Sequence, residues 1–284
     1  MPSLPSAALR RARPRLLPLV ASALALLVAA TPVAAAVPLP VSMASVGDSI
    51  TRAYNTGAFP FTDNPAGSWS TGTTTSVVSH YARILPGQAA IHGRNENVAR
   101  TGARMNDLGR QLGLLTTSKP EYVTILLGAN DACAGSEAAM TSVADFRAQL
   151  AGALATFTAA SPSSRILLLS IPDIHQLWSV LKGSSTARSV WSLYGICQSM
   201  LARPTSTQTA DVERRARVRQ RVVDYNAAIA EVCALHALCR TDGGAVFATA
   251  FTAKEISTRD YFHPSLAGQK KLAAVTWAVG WWGS

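Results

Sequence analysis

The sequence predicts an α/β fold built on a mainly parallel sheet with helices on both faces. Three observations carry that expectation. Short, near-continuous apolar runs at 41–46, 122–127 and 165–171 have the length and composition of strands buried on both sides. Segments with apolar residues at helical spacing separate them. The two kinds alternate along the chain with no internal repeat and no long linker, which is the order of strand–helix crossover units.

In order, the run 41–46 reads as the first strand and leads into Val46-Gly47-Asp48-Ser49-Ile50. Residues 55–75, rich in Gly, Ser, Thr and Pro, read as a loop. A short helix at 76–85 is ended by Pro86. A second strand is expected within 89–99. Met105, Leu108, Leu112 and Leu115 place a helix over 104–116. The strand 122–127 ends at Gly128. Phe146, Leu150, Leu154 and Phe157 mark a helix at 143–160, and the strand 165–171 runs into Pro172. Val218, Val222, Tyr225, Ile229 and Val232 form one stripe of the clearest helix, 211–235. Arg215, Arg217, Arg219 and Arg221 flank that stripe and read as a solvated face with their stems laid along it. A last strand is expected at 245–247, and a last helix from Ser265 to about Val279.

The N-terminus has a different character. Residues 1–15 hold Arg10, Arg11, Arg13 and Arg15 and no acid, 16–30 are almost wholly apolar, and Ala34-Ala35-Ala36 offers an A-x-A site. That is the order of a secretory signal peptide, expected over residues 1–36 with cleavage near Ala36. Pro18, Pro32 and the shortness of the run argue against a membrane anchor. Residues 37–284 then form a single domain, long enough for a real core. The chain's formal net charge is +10; without those four arginines 22 basic side chains face 16 acids, a net of +6. This suits peripheral contact with anionic surfaces. No basic motif with interleaved aromatics appears, so nucleic acid is not an expected partner.

Cys133, Cys197, Cys233 and Cys239 fit an oxidising compartment and two disulfides. Of the three possible pairings, one joining Cys233 to Cys239 is the easiest, because the two lie close together at a helix end. That leaves Cys133 to pair with Cys197. Cys233-x-x-His236-x-x-Cys239 matches no common zinc spacing.

Ser49 follows the first strand, and the C-terminal ends of parallel strands border the crevice where open α/β sheets bind ligands. To act as a nucleophile it needs a base. Asp260-Tyr261-Phe262-His263-Pro264 supplies one: an Asp three residues before a His can curl back onto one imidazole nitrogen and leave the other for the serine. Gly102, just before a helix, has an N–H free to donate to an anion. Asn130, at the end of strand 122–127, has a side-chain amide that can donate to the same anion. Nucleophile, base, orienting acid and oxyanion donors are the parts of an acyl-transfer site. His80, His92, His175 and His236 sit in no motif with an adjacent acid and read as structural or exposed.

The order Gly47-Asp48-Ser49-Ile50, Asn97-x-Ala99-x-x-Gly102-Ala103, Gly128-Ala129-Asn130-Asp131 and Asp260-x-Phe262-His263-Pro264 resembles the SGNH hydrolases, also called GDSL esterases and lipases. The secreted actinobacterial type is the most similar, through the segments GANDAC, SIPD, CQSML and CRTDGGAVF. The resemblance spans residues 41–280. It implies a three-layer α/β/α sandwich with a flavodoxin-like sheet and no cofactor. Position by position, it implies Ser49 as nucleophile and first oxyanion N–H. Gly102 is then the second donor and Asn130 the third, with Asp260 and His263 completing the triad.

The expected protein is a secreted, monomeric serine esterase acting on small-molecule or lipid esters. A carbohydrate O-deacetylase is the rival within the same chemistry. A non-catalytic cell-surface binding module would predict decay of one of the five positions, yet all are present. A metal phosphoesterase would need clustered acids and a paired Asp-x-His that the chain lacks. The apolar segment 172–197, with Leu177 and Trp178, has two readings: a satellite core, or a wall of the acyl pocket.

Overall fold

The computed structural model describes residues 1–4, 8 and 37–283. The chain separates into two units, Met1–Ala36 and Val37–Ser284. The expected signal segment, beyond residues 1–4 and 8, and its cleavage point lie outside the described residues. Among those described, no helix is long and apolar enough to cross a membrane.

Five strands, β1 (Met43–Gly47), β2 (Asn95–Asn97), β3 (Tyr122–Leu126), β4 (Arg165–Leu168) and β5 (Cys239–Thr241), form one sheet in the order β2-β1-β3-β4-β5. Every pairing is parallel. The helices are α1 (His80–Ile84), α2 (Leu108–Leu114), α3 (Ala129–Ala132), α4 (Val143–Ala160), α5 (Ile174–Leu181), α6 (Ser185–Leu193), α7 (Gln198–Leu201), α8 (Thr209–Cys233), α9 (Ala245–Ala248) and α10 (Leu266–Ala278). The result is the three-layer α/β/α sandwich.

Strand chemistry explains the sheet's interior. All residues of β1 and β3 are buried, which is why neither alternates apolar with charged residues; the hydroxyls of Ser45 and Thr124 are paired with Thr71 and Ser70. On one face α2, α4 and α8 pack in succession, with Phe146 of α4 stacked on Tyr225 of α8 at 4.1 Å between ring centroids. On the other, buried His80 of α1 links β3 to α10: its Nδ1 lies 2.8 Å from Tyr122 Oη and its Nε2 2.8 Å from Thr276 Oγ1. Thr276 spends its hydroxyl proton on Leu272 O, so His80 donates from Nε2 and accepts at Nδ1. Burial lowers its pKa to about 3, so it stays neutral. Helix starts follow their caps: Ser142 accepts from Asp145 N at α4, and Ser265 from Gly268 N at α10.

Two expectations need correction. Residues 245–247 are not a strand but part of α9, a single-turn helix. The apolar triplet is too short for periodicity to separate strand from helix. What decides is Asp242, whose carboxylate accepts from Gly244 N and Val246 N and caps the turn. The fifth strand lies earlier, at polar Cys239–Thr241, an edge position with little apolar signal. Arg215 does not lie on a solvated face. It occupies the N-terminal continuation of the apolar stripe, three residues before Val218, and is buried. Its guanidinium donates to Ser206 O at 2.7 Å and lies 4.6 Å from the centroid of the Trp178 ring. Arg217 and Arg219 are exposed and pair with Glu137 and Asp173.

Two disulfides close the chain on itself. Cys133–Cys197 ties the residue after α3 to the start of α7 across 64 positions, and Cys233–Cys239 joins the end of α8 to β5. On chain-entropy grounds the long loop contributes about 4 kcal/mol and the short one about 2 kcal/mol. Replacing Cys133 and Cys197 together by Ala should therefore lower Tm by roughly 10 °C in calorimetry. A change under about 2 °C would show that the bridge constrains nothing beyond what packing already fixes.

Candidate active site

The C-terminal ends of β1 and β3 lie side by side, with Gly47 opposite Leu126. A Cβ on Gly47 would sit 2.4 Å from Leu126 O and 2.6 Å from Thr51 Oγ1, so only glycine fits there. Gln111 of α2 donates to Gly47 O and accepts from Gly47 N, each at 2.9 Å. The chain turns immediately after, and Tyr54 N donates to Ser49 O. Gln269 of α10 donates to Ile50 O and accepts from Trp69 N, pinning the far side of the turn. Ser49 is thus held by backbone and buried amides, with its hydroxyl facing a cleft.

The segment after the short 3-10 turn Ala253–Glu255 brings His263 to the cleft. Ser257 N donates to His263 O at 2.8 Å, Tyr261 N to Ser257 O at 2.8 Å, and Trp191 Nε1 to Tyr261 O at 3.0 Å. Within that turn, His263 Nε2 lies 2.7 Å from Ser49 Oγ, and His263 Nδ1 lies 2.6 Å from Asp260 Oδ2. Asp260 Oδ1 accepts from Phe262 N and His263 N at 2.9 and 3.0 Å. Burial pushes the Asp260 carboxyl up, but hydrogen bonds and charge from His263, with the two N–H groups, outweigh it and hold the group below its ordinary range. Asp260 is therefore the ionised partner of the imidazole.

Gly102 and Asn130 line the same cleft as Ser49 and His263, a volume of about 350 Å³. Gly102 has φ +81°, a conformation that favours glycine, and a clear space where a side chain would stand. Among the described residues neither Ser49 N nor Gly102 N has an internal partner. Asn130 Nδ2 donates one proton to Ala103 O at 2.9 Å, which orients the amide across the cleft and leaves its second proton free. All five positions singled out in the sequence converge here. Cys133–Cys197 forms part of the wall, with Tyr54, Phe61, Tyr194 and Ile196. Among the described residues no three His, Cys, Asp or Glu side chains cluster as a metal site would need.

On the other side of His263 and Phe262 lies a smaller apolar recess of about 60 Å³, lined by Ile50, Ala129, Leu177, Phe251 and Ile256 among others. Segment 172–197 thus divides between the two expectations. Leu177 walls this recess. Trp178 does not; its Nε1 donates to Pro204 O, and its ring packs under Lys182 and Arg215. Sequence reasoning missed Asn55, Gln111 and Gln269. Asn55 stands 205 positions from Asp260, its partner, inside a loop full of turn residues. No local pattern links the two.

The sequence model of the GDSL-like lipase/acylhydrolase family matches residues 45–271. Among solved structures, an acetyl xylan esterase, AlAXEase, aligns with TM-score 0.52 at 14% identity over 83% of this chain and 98% of its own. An extracellular lipase from Streptomyces rimosus aligns with TM-score 0.48 at 19% identity over 82% and 97%. Phospholipase A1 from Streptomyces albidoflavus NA297 gives 0.43 at 21% over 80% and 94%. No curated protein matches by sequence.

Asp48 is the one buried acid here without a full set of donors. Oδ1 accepts from Ile50 N, and Oδ2 has no partner. Burial raises its pKa from 3.8 to about 7, against the lowering effects of the Ile50 N–H and His263. Below that pH the folded chain keeps a proton that the unfolded chain gives up near 3.8. Stability therefore falls as pH rises from about 4 through about 7. Asp48→Asn removes this dependence on pH. Its Tm relative to wild type should be more favourable at pH 8 than at pH 5 by about 3 °C or more. A difference independent of pH would show that Asp48 does not titrate in this window.

Proposed function

Because the chain belongs to the GDSL-like lipase/acylhydrolase family and is a carboxylic ester hydrolase, we propose that it is a secreted serine esterase working through an acyl-enzyme on Ser49. The observation that carries this reading is the unbroken hydrogen-bond relay Ser49–His263–Asp260, opening on the cleft that Gly102 and Asn130 share. His263 takes the Ser49 proton, and the alkoxide attacks the ester carbonyl. The oxyanion receives hydrogen bonds from Ser49 N, Gly102 N and the free amide proton of Asn130. His263, held as imidazolium by Asp260, then returns the proton to the leaving alcohol. Water, activated by the same imidazole, releases the acid.

The apolar recess supports an acyl substrate. Ile50 and Ala129, neighbours of nucleophile and oxyanion donor, form part of its wall together with His263, which places it next to the site as a pocket for the acyl chain. Its size suits a short chain. The rim of the main cleft supports contact with a lipid ester or its surface. Phe59, Phe61 and Tyr194 are the large aromatic side chains left exposed among the described residues, beside Leu193, 75% exposed. Arg259 donates to the carbonyls of Ala58 and Phe59 at that rim. With the basic balance of residues 37–284, this favours peripheral attachment to anionic surfaces. The disulfides and the N-terminal leader pattern favour export, and the enzyme is expected to act as a monomer. The small recess also keeps the O-deacetylase reading open, since it accepts an acetyl group equally well.

Ser49→Ala should abolish hydrolysis of a soluble aryl ester without lowering Tm, Asn130→Ala should cost on the order of a hundredfold in kcat, and EDTA should change neither. Full activity in Ser49→Ala would overturn the mechanism. Leu177→Trp, which fills the recess, should cut kcat/KM for butyryl esters by about tenfold while acetyl esters and acetylated sugars lose far less. Equal losses on all would remove the recess from acyl binding.

A further inference from the structure

Asn55 begins the loop that carries Phe59 and Phe61, and it is buried at 3% exposure. All of its polar groups are committed. Its N–H donates to Thr62 O at 3.0 Å, and its C=O accepts from Ser257 Oγ at 3.4 Å. Its side-chain Oδ1 accepts from Phe61 N at 2.5 Å, and its Nδ2 donates to Asp260 Oδ2 at 2.5 Å. A φ of +65° holds it in the left-handed region, which Asn tolerates better than most residues.

That contact completes the coordination of Asp260. A carboxylate has about four acceptor sites. Phe262 N and His263 N occupy Oδ1, and His263 Nδ1 takes one site on Oδ2. Asn55 Nδ2 takes the other. The carboxylate cannot rotate without breaking at least two of these bonds. Asn55 also shares the oxygen that holds the imidazole, so it both fixes that oxygen and draws off part of its charge.

We propose that Asn55 is a positioning residue for the triad: its amide fixes Asp260 Oδ2 so that His263 stays aligned on Ser49, and moderates how strongly Asp260 holds the imidazolium. The proposal rests on the serine-esterase reading of Ser49, His263 and Asp260. Asn55 touches no substrate; it acts through Asp260. It also ties the aromatic rim to the triad through Phe61 N.

The test uses Asn55→Gly and Asn55→Asp in the full-length protein, with kcat, KM and the pH dependence of kcat/KM measured on a soluble aryl ester. Glycine keeps the positive φ and removes the carboxamide, with both its Asp260 and its Phe61 contact; Asn55→Asp, which keeps the Phe61 contact, separates the two. In Asn55→Gly, kcat should fall by about tenfold or more with KM within about twofold, as misaligned groups cost turnover and not binding. With one donor gone, Asp260 holds the imidazolium more tightly, so the acid limb of kcat/KM should move to higher pH. The other titratable groups facing the imidazole and its acid are Asp48, Tyr54, Tyr194, Asp173, Glu255 and, on the same turn, Arg259 and Tyr261, all unchanged in both variants.

Asn55→Asp keeps the shape and the Phe61 contact. Two carboxylates at this distance share one proton, and the protonated form can donate to Asp260 as the amide does. Its activity relative to wild type should therefore rise as pH falls from 8 to 6. Wild-type kcat in Asn55→Gly, or in Asn55→Asp at pH 8, would overturn the proposal. So would a lowered kcat with an unmoved acid limb and a flat Asn55→Asp ratio, which would mark Asn55 as purely structural. Ser49→Ala, run alongside, separates the two levels: activity there would sink the esterase reading itself.

Discussion

The close approach of β1 to β3 at their C-terminal ends sets the geometry of the whole site. Gly47, the last residue of β1, sits where any Cβ would strike Leu126 O, so only glycine allows this approach, and the chain leaves the sheet immediately after it. Because the strands are parallel and adjacent, the turn after β1 and the turn after β3 open on the same crevice. Ser49 and Asn130 therefore meet without any long-range device. β2, on the other side of β1, delivers Gly102 to the same rim. Only the base comes from far along the chain, and buried polar groups lock it in place. Gln269 fastens α10 to the nucleophile turn, and Trp191 fastens α6 to the turn bearing His263.

The site handles charge unevenly, and the difference follows from donor count. Asp260 and Asp48 are both buried and lie on either side of the Ser49–His263 pair. Asp260 accepts four hydrogen bonds and has its pKa depressed. Asp48 accepts one at its side chain and has its pKa raised to about 7. Desolvation raises both, more so for the fully enclosed Asp48, and only at Asp260 do hydrogen-bond donors and the charge of His263 outweigh it. Asp260 thus keeps its negative charge beside the His263 imidazole, while Asp48, with its pKa raised to about 7, is only partly ionised at neutral pH.

Much of this was legible in the chain, for definable reasons. Strands buried on both faces announce themselves as apolar runs, so β1, β3 and β4 were readable, as was the stripe of α8. Ser49, Gly102, Asn130, Asp260 and His263 were readable because each sits in a short motif whose spacing encodes its own geometry. Edge strands carry no such signal. β5 is polar and short, and the apolar triplet after it drew the strand assignment onto α9, which an Asp242 cap turns into a helix. Arg215 was misread because charge is usually solvated, yet at its position on the stripe it packs against Trp178 and satisfies its donors on carbonyls. Asn55 and Gln111 were invisible because their meaning lies wholly in partners distant along the chain.

The most direct measurement of the serine mechanism is covalent capture. The folded protein is incubated with a fluorophosphonate, digested, and the adduct located by mass spectrometry. The expected result is a single adduct on Ser49, formed at one equivalent with parallel loss of esterase activity, absent from denatured protein, and slowed when His263 is protonated at low pH. An adduct on another residue, or complete loss of activity with Ser49 unmodified, would contradict the assignment of Ser49 as the nucleophile.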